Sequence, residues 1–271
     1  MKQKCLAGLI TGIFMLLYAP SAAWAQLSSF GVLGGSTVTN TGATIVNGNL
    51  GVSPGSAVTG FPPGVVSNGT IHAADAAASQ AQTDLTTLYN QLAGDACTTD
   101  LTGQDLGGLT LTPGVYCFST SAQLTGTLTL NAQGNPNATF VFKIGSTFTT
   151  ASGSSVVLTN GASSCGVAWQ VGASATMGTG SSLPGTIVAL SSVTLNTGSS
   201  LAGRALARNG AVTLDSNNLT FCTGGAGLPG LPPPGGNVSS VPALSLPMLA
   251  GLALLLASFG WMQARKAQEH G

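Results

Sequence analysis

A short phrase that recurs between residues 127 and 215 constrains the fold more than any other feature of this chain. Each copy has a small residue first, an apolar residue second and a Thr third, and a second apolar residue usually follows. The copies span residues 127–131, 147–151, 174–178, 192–196 and 211–215. Alternating polar and apolar side chains are typical of a half-buried strand. The recurrence predicts strands that stack copy upon copy and carry an outward ladder of Thr and Ser.

A second repeat sets the length of each stacked unit. The motif Gly-Ser-Ser-Leu-x-Gly occurs at residues 180–185 and again at 198–203, which is a spacing of 18 residues. A related Gly-Ser-Ser-Val begins 27 residues before the first, and a loop with Cys165 accounts for the excess. About 18 residues divide into three short strands, so the period predicts an all-β solenoid of about 18 residues per coil.

The first strand of each coil is apolar on both sides. The segments are 140–144, 167–171, 186–190 and 204–208, and we expect Phe142, Trp169, Val188 and Leu206 to point inward. The outward residues are then still apolar, and they need a cover: Val141, Ala168, Ile187, Ala189, Ala205 and Ala207. Residues 71–93 are Ala-rich with apolar side chains at helical spacing, so they predict one long α-helix packed over this surface.

Charge is scarce in the body of the protein. Of 271 residues, 7 are basic and 7 acidic, and only Lys143, Arg204 and Arg208 are basic between residues 26 and 240. We therefore expect no nucleic-acid partner, because phosphate neutralisation needs a basic patch. His72 is the one His in the body, and the acids are scattered, so the sequence predicts neither an enzyme nor a cofactor.

Both ends of the sequence indicate export. Residues 1–25 resemble a signal peptide, with Lys2 and Lys4, an apolar stretch and a cleavage box that ends at Ala25. A retained membrane anchor is the alternative. Residues 223–240 form a Gly/Pro linker, and residues 241–271 combine an apolar run with Arg265 and Lys266, as a membrane segment with a cytoplasmic basic end would. This terminus also resembles bacterial carboxy-terminal sorting domains, which are anchored and then processed.

The body from 26 to 222 keeps four cysteines once the signal peptide is removed. Cys97, Cys117, Cys165 and Cys222 can form two disulfides in three pairings. We favour Cys97 with Cys117 and Cys165 with Cys222, because each bond would fix the start of a segment to a neighbouring coil. Metal binding by four thiols is the competing interpretation, but the Cys-x-x-Cys spacing is absent, so we expect no metal.

Four longer segments resemble one known family. These are residues 36–64, 70–77, 101–116 and 194–217, and the resemblance to the secreted ice-binding (antifreeze) protein family extends over roughly residues 30–221. The resemblance implies a right-handed, triangular, discontinuous β-solenoid with one long helix alongside. It also implies that the uncovered flat face binds ice and thereby inhibits ice growth and recrystallisation.

Carried onto this sequence, the resemblance assigns ice binding to the outward Thr and Ser ladder. The expected ice-binding residues are Thr37, Thr39, Thr127, Thr129, Thr147, Thr149, Ser174, Thr176, Ser192, Thr194 and Thr213. The expected partner is therefore an ice surface. We expect a secreted or cell-surface monomer whose C-terminal segment contacts the membrane, at least transiently.

Two other interpretations of the ladder are compatible with the same residues. A cell-surface adhesion or structural module could use the same flat face to hold a polysaccharide or another cell. Thr is also a good strand former, so an outward row of Thr can simply keep a solenoid soluble.

Overall fold

The computed structural model describes residues 25–222, and these residues form two parallel sheets flanked by helices. The expected signal peptide, linker and C-terminal segment lie outside the described residues. Within residues 25–222, no helix is long and apolar enough to cross a membrane.

The smaller sheet has seven strands, all parallel, in the order β11, β14, β17, β19, β21, β2, β5. Each strand is short. Five of them place one outward residue between two buried residues, whereas β2 and β5 place Val38 and Val58 between outward residues. Their bounds are β11 Ala122–Leu124, β14 Phe148–Thr150, β17 Ala175–Met177, β19 Val193–Leu195, β21 Val212–Asp215, β2 Thr37–Thr41 and β5 Ala57–Thr59.

The larger sheet has fifteen strands in two parts that share two long strands, β18 Ser182–Ala189 and β20 Ser200–Ala207. We name the part under the long helix the helix-side wing and the other part the outer wing. The helix-side wing contains β8 Thr99–Asp100, β10 Gly114–Phe118, β13 Phe140–Ile144, β16 Val167–Val171, β1 Phe30–Gly34, β4 Asn49–Val52 and β7 Ile71–Ala73. The outer wing contains β9 Thr110–Leu111, β12 Thr127–Asn131, β15 Ser155–Thr159, β22 Asn218–Thr220, β3 Ile45–Asn47 and β6 Val65–Ser67.

Along the chain, the strands visit the helix-side wing, the seven-stranded sheet and the outer wing in turn. Strands of the same part pair in parallel with the equivalent strand of the next unit, as when Ser182 of β18 pairs with Ser200 of β20. The two N-terminal units do not begin the stack. They follow the last C-terminal unit, because β1 pairs with β20, β2 with β21 and β3 with β22.

The main core fills the space between the three strand layers. Aromatic rings stack at its centre, where Phe142 and Phe148 lie 4.1 and 4.8 Å from the Trp169 ring. The buried indole also donates a hydrogen bond of 2.9 Å to the carbonyl of Pro184. Stacked aromatic rings and a satisfied indole N–H give this core a fixed geometry.

The long helix α2 spans Ala76–Gly94 and packs on the helix-side wing, where we expected it. It is shorter than the predicted 71–93 at its start, because residues 71–73 form β7 and pair with β4. Asp75 caps the helix by accepting a hydrogen bond of 2.9 Å from the Ala78 N–H. The short helix α1, Ala25–Ser28, packs beside α2, and Ser164–Gly166 form a 3₁₀ turn.

The alternation on the helix-side wing is correct for two of the four segments. Phe142 and Trp169 point into the main core, and Val141 and Ala168 face α2, as predicted. The predictions for the other two segments are wrong. Val188 and Leu206 face the helix, whereas Ile187, Ala189, Ala205 and Ala207 point inward. The reason is register, since Trp169 pairs with Ile187 and not with Val188.

Both predicted disulfides are present. Cys97 bonds to Cys117 and links the strand region after α2 to β10, and Cys165 bonds to Cys222 and links the 3₁₀ turn to the end of the described chain. Their sequence separations are 20 and 57 residues. No group of three or more His, Cys, Asp or Glu in residues 25–222 is arranged to hold a metal ion.

Candidate functional site

The outward side of the seven-stranded sheet presents one central residue from every strand, and we name this surface the threonine face. The central residues pair directly across neighbouring strands in parallel register. In spatial order they are Gln123, Thr149, Thr176, Thr194, Thr213, Thr39 and Thr59. Six consecutive strands therefore place a Thr at the same position. Because neighbouring strands lie about 4.8 Å apart, these side chains form a regular row.

A second row runs parallel to the first, two residues earlier in each strand. It is less uniform than the central row and consists of small side chains: Ser121, Thr147, Ser174, Ser192, Ala211, Thr37 and Ala57. Same-side residues along one strand lie about 6.6 Å apart, so the two rows form a two-dimensional grid. A third row, two residues after the centre, is irregular because it includes Ala151, Gly178, Asn196 and Asp215.

Hydroxyl groups in the two rows differ in how they are held. Several in the second row bond across strands: Ser174 Oγ accepts from the Ser192 N–H at 3.3 Å, and Ser192 Oγ accepts from the Ala211 N–H at 3.2 Å. In the central row, Thr39 and Thr213 hydroxyls lie 3.4 Å apart. The hydroxyls of Thr149, Thr176 and Thr194 have no partner among the described residues, so they remain available to a ligand or to water.

The support beneath the threonine face is apolar and closely packed. Val193, Val212 and Val38 lie directly under the grid and are fully buried. Phe148 extends this layer and stacks on Trp169. Densely packed interiors deform little, so the backbone positions of the grid are held by the core.

The first edge of the threonine face is fixed by one carboxylate. Asp105 bridges to Gln123 of the edge strand, and its side chain accepts hydrogen bonds of 2.7 and 2.9 Å from the N–H groups of Gly107 and Thr125. Burial opposes ionisation of this group, but those hydrogen bonds outweigh burial and lower the pKa of the Asp105 carboxyl. The loop around Asp105 is therefore held in place by hydrogen bonds along the β11 edge of the seven-stranded sheet.

Nine of the eleven predicted ladder residues lie on the threonine face. They are Thr37, Thr39, Thr147, Thr149, Ser174, Thr176, Ser192, Thr194 and Thr213. Thr37 and Thr39 extend the grid beyond Thr213, which is where the N-terminal units join the stack.

The placement predicted for Thr127 and Thr129 is wrong. Both belong to β12 in the outer wing, where Thr127 pairs with Ser155 and Thr129 with Val157. Their unit reaches the threonine face earlier in the chain, at Ser121 and Gln123, and then turns at Gly126, whose φ is +83°. Local alternation is the same in both sheets, so the repeated phrase could not separate them.

Sequence reasoning also missed Thr59 and Gln123. Thr59 could have been found, because the segment 57–59, Ala-Val-Thr, is identical to residues 211–213 of the repeated phrase. Gln123 could not be found in this way, because it is a Gln, whereas the other six strands of the central row each have a Thr at this position.

The titratable side chains do not gather on the threonine face. His72 and Asp75 pair at the start of α2, with Nδ1 and Oδ2 separated by 2.7 Å, and His72 also contacts the Phe30 ring. Asp215 accepts a hydrogen bond from the Thr197 hydroxyl at the margin of the face. The central row and the second row of the threonine face thus present methyl and hydroxyl groups without net charge.

Comparison with known proteins assigns the chain to a family. Residues 32–220 match the family model described as Ice-binding-like. An ice-binding protein of Nostoc sp. (strain HG1) is 61% identical over 194 residues, which cover 71% of each chain. Among solved structures, an ice binding protein from an Antarctic biological consortium is similar with a TM-score of 0.71 and 47% identity, over 73% of this chain and 90% of that one.

A second solved structure is similar to the same extent. The ice-binding protein of the Antarctic ascomycete Antarctomyces psychrotrophicus has a TM-score of 0.70 and 40% identity, over 73% of this chain and 97% of that chain. With a family match over residues 32–220 and a relative that is 61% identical, this chain belongs to the Ice-binding-like family.

Proposed function

We propose that this protein binds ice through the threonine face and thereby inhibits ice growth and recrystallisation. The observation that carries the proposal is the central row, in which six consecutive strands place an outward Thr in register. The family is one of ice-binding proteins and not of enzymes, and the relatives give no support to the adhesion alternative.

The mechanism follows from the chemistry of the grid. Thr methyl groups exclude disordered water, while hydroxyls without protein partners can hydrogen-bond to ordered water. Each apolar contact contributes little, at about 25 cal/mol per Å² of buried area, so binding requires many aligned positions at once. Residues in regular rows over a rigid core satisfy this requirement, because no energy is spent on ordering them when ice is bound.

The test is a bulky substitution in the middle rows of the threonine face. Thr176→Tyr places a large ring among small side chains and prevents close approach of a flat crystal surface. We expect this variant to lose most of its ice recrystallisation inhibition and its partitioning into ice. Its stability should change by only about 0.5 kcal/mol, because the substitution is on the surface.

Thr129→Tyr is the matched control, because Thr129 occupies the same place in the repeated phrase but lies in the outer wing. We expect this variant to keep its ice activity. If both variants lose activity equally, or if folded Thr176→Tyr stays fully active, the threonine face is not the ice-binding surface.

We infer that the strands wind as a right-handed, triangular, discontinuous β-solenoid. Parallel pairing at an 18-residue spacing between β18 and β20 supports the coil, and the three strand layers support the triangular section. The discontinuity is supported by the N-terminal units, which pair with the C-terminal unit across the chain. A crystal structure of the protein would test the handedness.

We also propose that the protein is exported and acts as a monomer. The proposed organisation is a signal peptide at 1–25, an ice-binding body at 26–222, a linker at 223–240 and a membrane or sorting segment at 241–271. Two disulfides in the body support an oxidising compartment. Mass spectrometry of the exported chain tests cleavage after Ala25 and any removal of the 241–271 segment. A membrane-fraction assay tests whether that segment anchors the protein.

A further inference from the structure

A buried carboxylate on α2 has an incomplete set of partners. The Asp84 side chain is only 4% exposed, and its Oδ2 atom is buried without a hydrogen bond. Its Oδ1 atom accepts a hydrogen bond of 2.8 Å from the side-chain amide of Gln80. Burial raises the pKa of the Asp84 carboxyl, against the opposing effects of Gln80 and of the Leu27 backbone N–H. Buried carboxylates are normally paired, so this group requires an explanation.

The element packed against Asp84 is the short helix α1. Leu27 of α1 is fully buried in the cluster that includes Leu85 and Leu88 of α2. The backbone N–H of Leu27 lies close enough to the Asp84 carboxylate to lower its pKa. At the other end of α1, the buried Arg204 guanidinium donates a hydrogen bond of 3.1 Å to the carbonyl of Ser28. Within residues 25–222, the one salt bridge is His72 with Asp75, so no described cation pairs with Asp84.

We propose that removal of residues 1–25 creates the missing partner, and that the new α-ammonium group of Gln26 forms an ion pair with the buried carboxylate of Asp84. This inference goes beyond ice binding and rests on the proposed cleavage after Ala25. Hydrolysis of the Ala25–Gln26 peptide bond consumes one water, leaves a carboxylate on Ala25 and converts an amide nitrogen of one N–H into an ammonium with three donors.

Covalent geometry brings the new charge to the carboxylate. The Gln26 nitrogen is separated from the Leu27 nitrogen by one residue, which is about 3–4 Å. Because the Leu27 N–H lies near the Asp84 carboxylate, the Gln26 ammonium begins within about one residue's length of the unpartnered oxygen. An α-amino group has an ordinary pKa of about 7.7–8.0, so it is charged at neutral pH. The pair would hold α1 on α2 only in the processed protein.

The first experiment is a double-mutant cycle on the exported full chain. Insertion of Gly-Ser between Ala25 and Gln26 keeps the cleavage box but moves the ammonium away from Asp84. Asp84→Asn removes the charge on the other side. We expect the insertion to lower Tm by about 6–10 °C in the natural sequence, as breaking a buried pair does in a protein of this size, and by little in the Asp84→Asn background.

If the insertion lowers Tm equally in the natural sequence and in Asp84→Asn, or lowers it in neither, the proposal is overturned. Mass spectrometry of each N-terminus belongs to the same experiment. A mature chain that begins elsewhere than Gln26, or a Gln26 that has cyclised with loss of ammonia and so lacks an ammonium, would also overturn it. Ice activity is not the readout, so failure here does not depend on the threonine face.

The second measurement is the reactivity of the α-amine toward an acylating reagent at pH 7. Pairing with a carboxylate raises the pKa of an ammonium, and one pKa unit lowers its rate of acylation about tenfold. We expect Gln26 to react about tenfold more slowly in the natural protein than in Asp84→Asn. Lys143 is the internal reference, because it bonds to the Asp95 carbonyl on another part of the molecule. Equal Gln26 rates in the two proteins would contradict the ion pair.

Discussion

Single polar residues hold the corners between the seven-stranded sheet and the outer wing. Asn217 is the best connected of them and is 2% exposed. Its side-chain amide donates hydrogen bonds of 2.9 and 3.2 Å to the carbonyls of Asn196 and Ser199. Its Oδ1 accepts a hydrogen bond of 2.7 Å from the Asp215 N–H. Asn217 stands where the neighbouring units have the first Ser of Gly-Ser-Ser, which is also buried in Ser181 and Ser199. The corner motif therefore serves internal hydrogen bonding.

We predict that Asn217→Ala destabilises the protein by about 2–4 kcal/mol, because it leaves several buried backbone groups without partners. Urea unfolding measures the change. Asn218→Ala is the control: Asn218 is the next residue, is exposed and should tolerate the change within about 0.5 kcal/mol. Similar losses for the two variants would show that the buried hydrogen bonds are not the cause.

At the scale of elements, α2 covers an apolar wing and begins at a defined cap. The chain leaves β7 at Ala74, whose φ is +54°, and Asp75 then caps the helix through the Ala78 N–H. His72 adds a second contact to the same carboxylate. The Ala78 N–H, followed by His72, lowers the pKa of Asp75 below its ordinary value of 3.8.

We predict that the contribution of Asp75 to stability is present above pH 3.8 and is lost as the pH falls through its lower folded-state pKa. The sign follows because the folded state favours the ionised carboxylate. Asp75→Ala should lower Tm by about 2–4 °C at pH 7 and by much less at pH 2–3. Thermal unfolding between pH 2 and 7 measures this, and a Tm difference that does not depend on pH would contradict the capping role.

At the scale of the whole molecule, the threonine face is assembled from both ends of the body. Thr39 and Thr59 come from the first units of the chain, yet they continue the row that ends at Thr213. The position of a Thr in the grid thus differs from its position in the sequence. Thr194 is the central member of the seven-residue row, and Thr59 lies at its edge.

We predict a graded response to one substitution along the row. Thr194→Tyr disrupts contact on both sides of the ring and should abolish most of the ice activity, whereas Thr59→Tyr disturbs only the end and should keep the larger part. Recrystallisation inhibition at matched concentrations of folded protein measures the order. Equal losses, or a greater loss at Thr59, would indicate that the contact surface is not centred on this row.

The amino-acid sequence by itself determined the strand period, the long helix over an apolar surface and most of the Thr row. These features depend on alternation, spacing and residue chemistry along short stretches of chain. The sequence favoured the two disulfide pairings that are present, but it allowed three. Only the tertiary structure decided that Thr127 and Thr129 lie in the outer wing, that Val188 and Leu206 face the helix, and that Thr39 adjoins Thr213. The physical reason is that strand register and sheet membership are set by long-range pairing and packing, here between residues 174 apart in sequence, and a local pattern looks the same on every layer of the molecule.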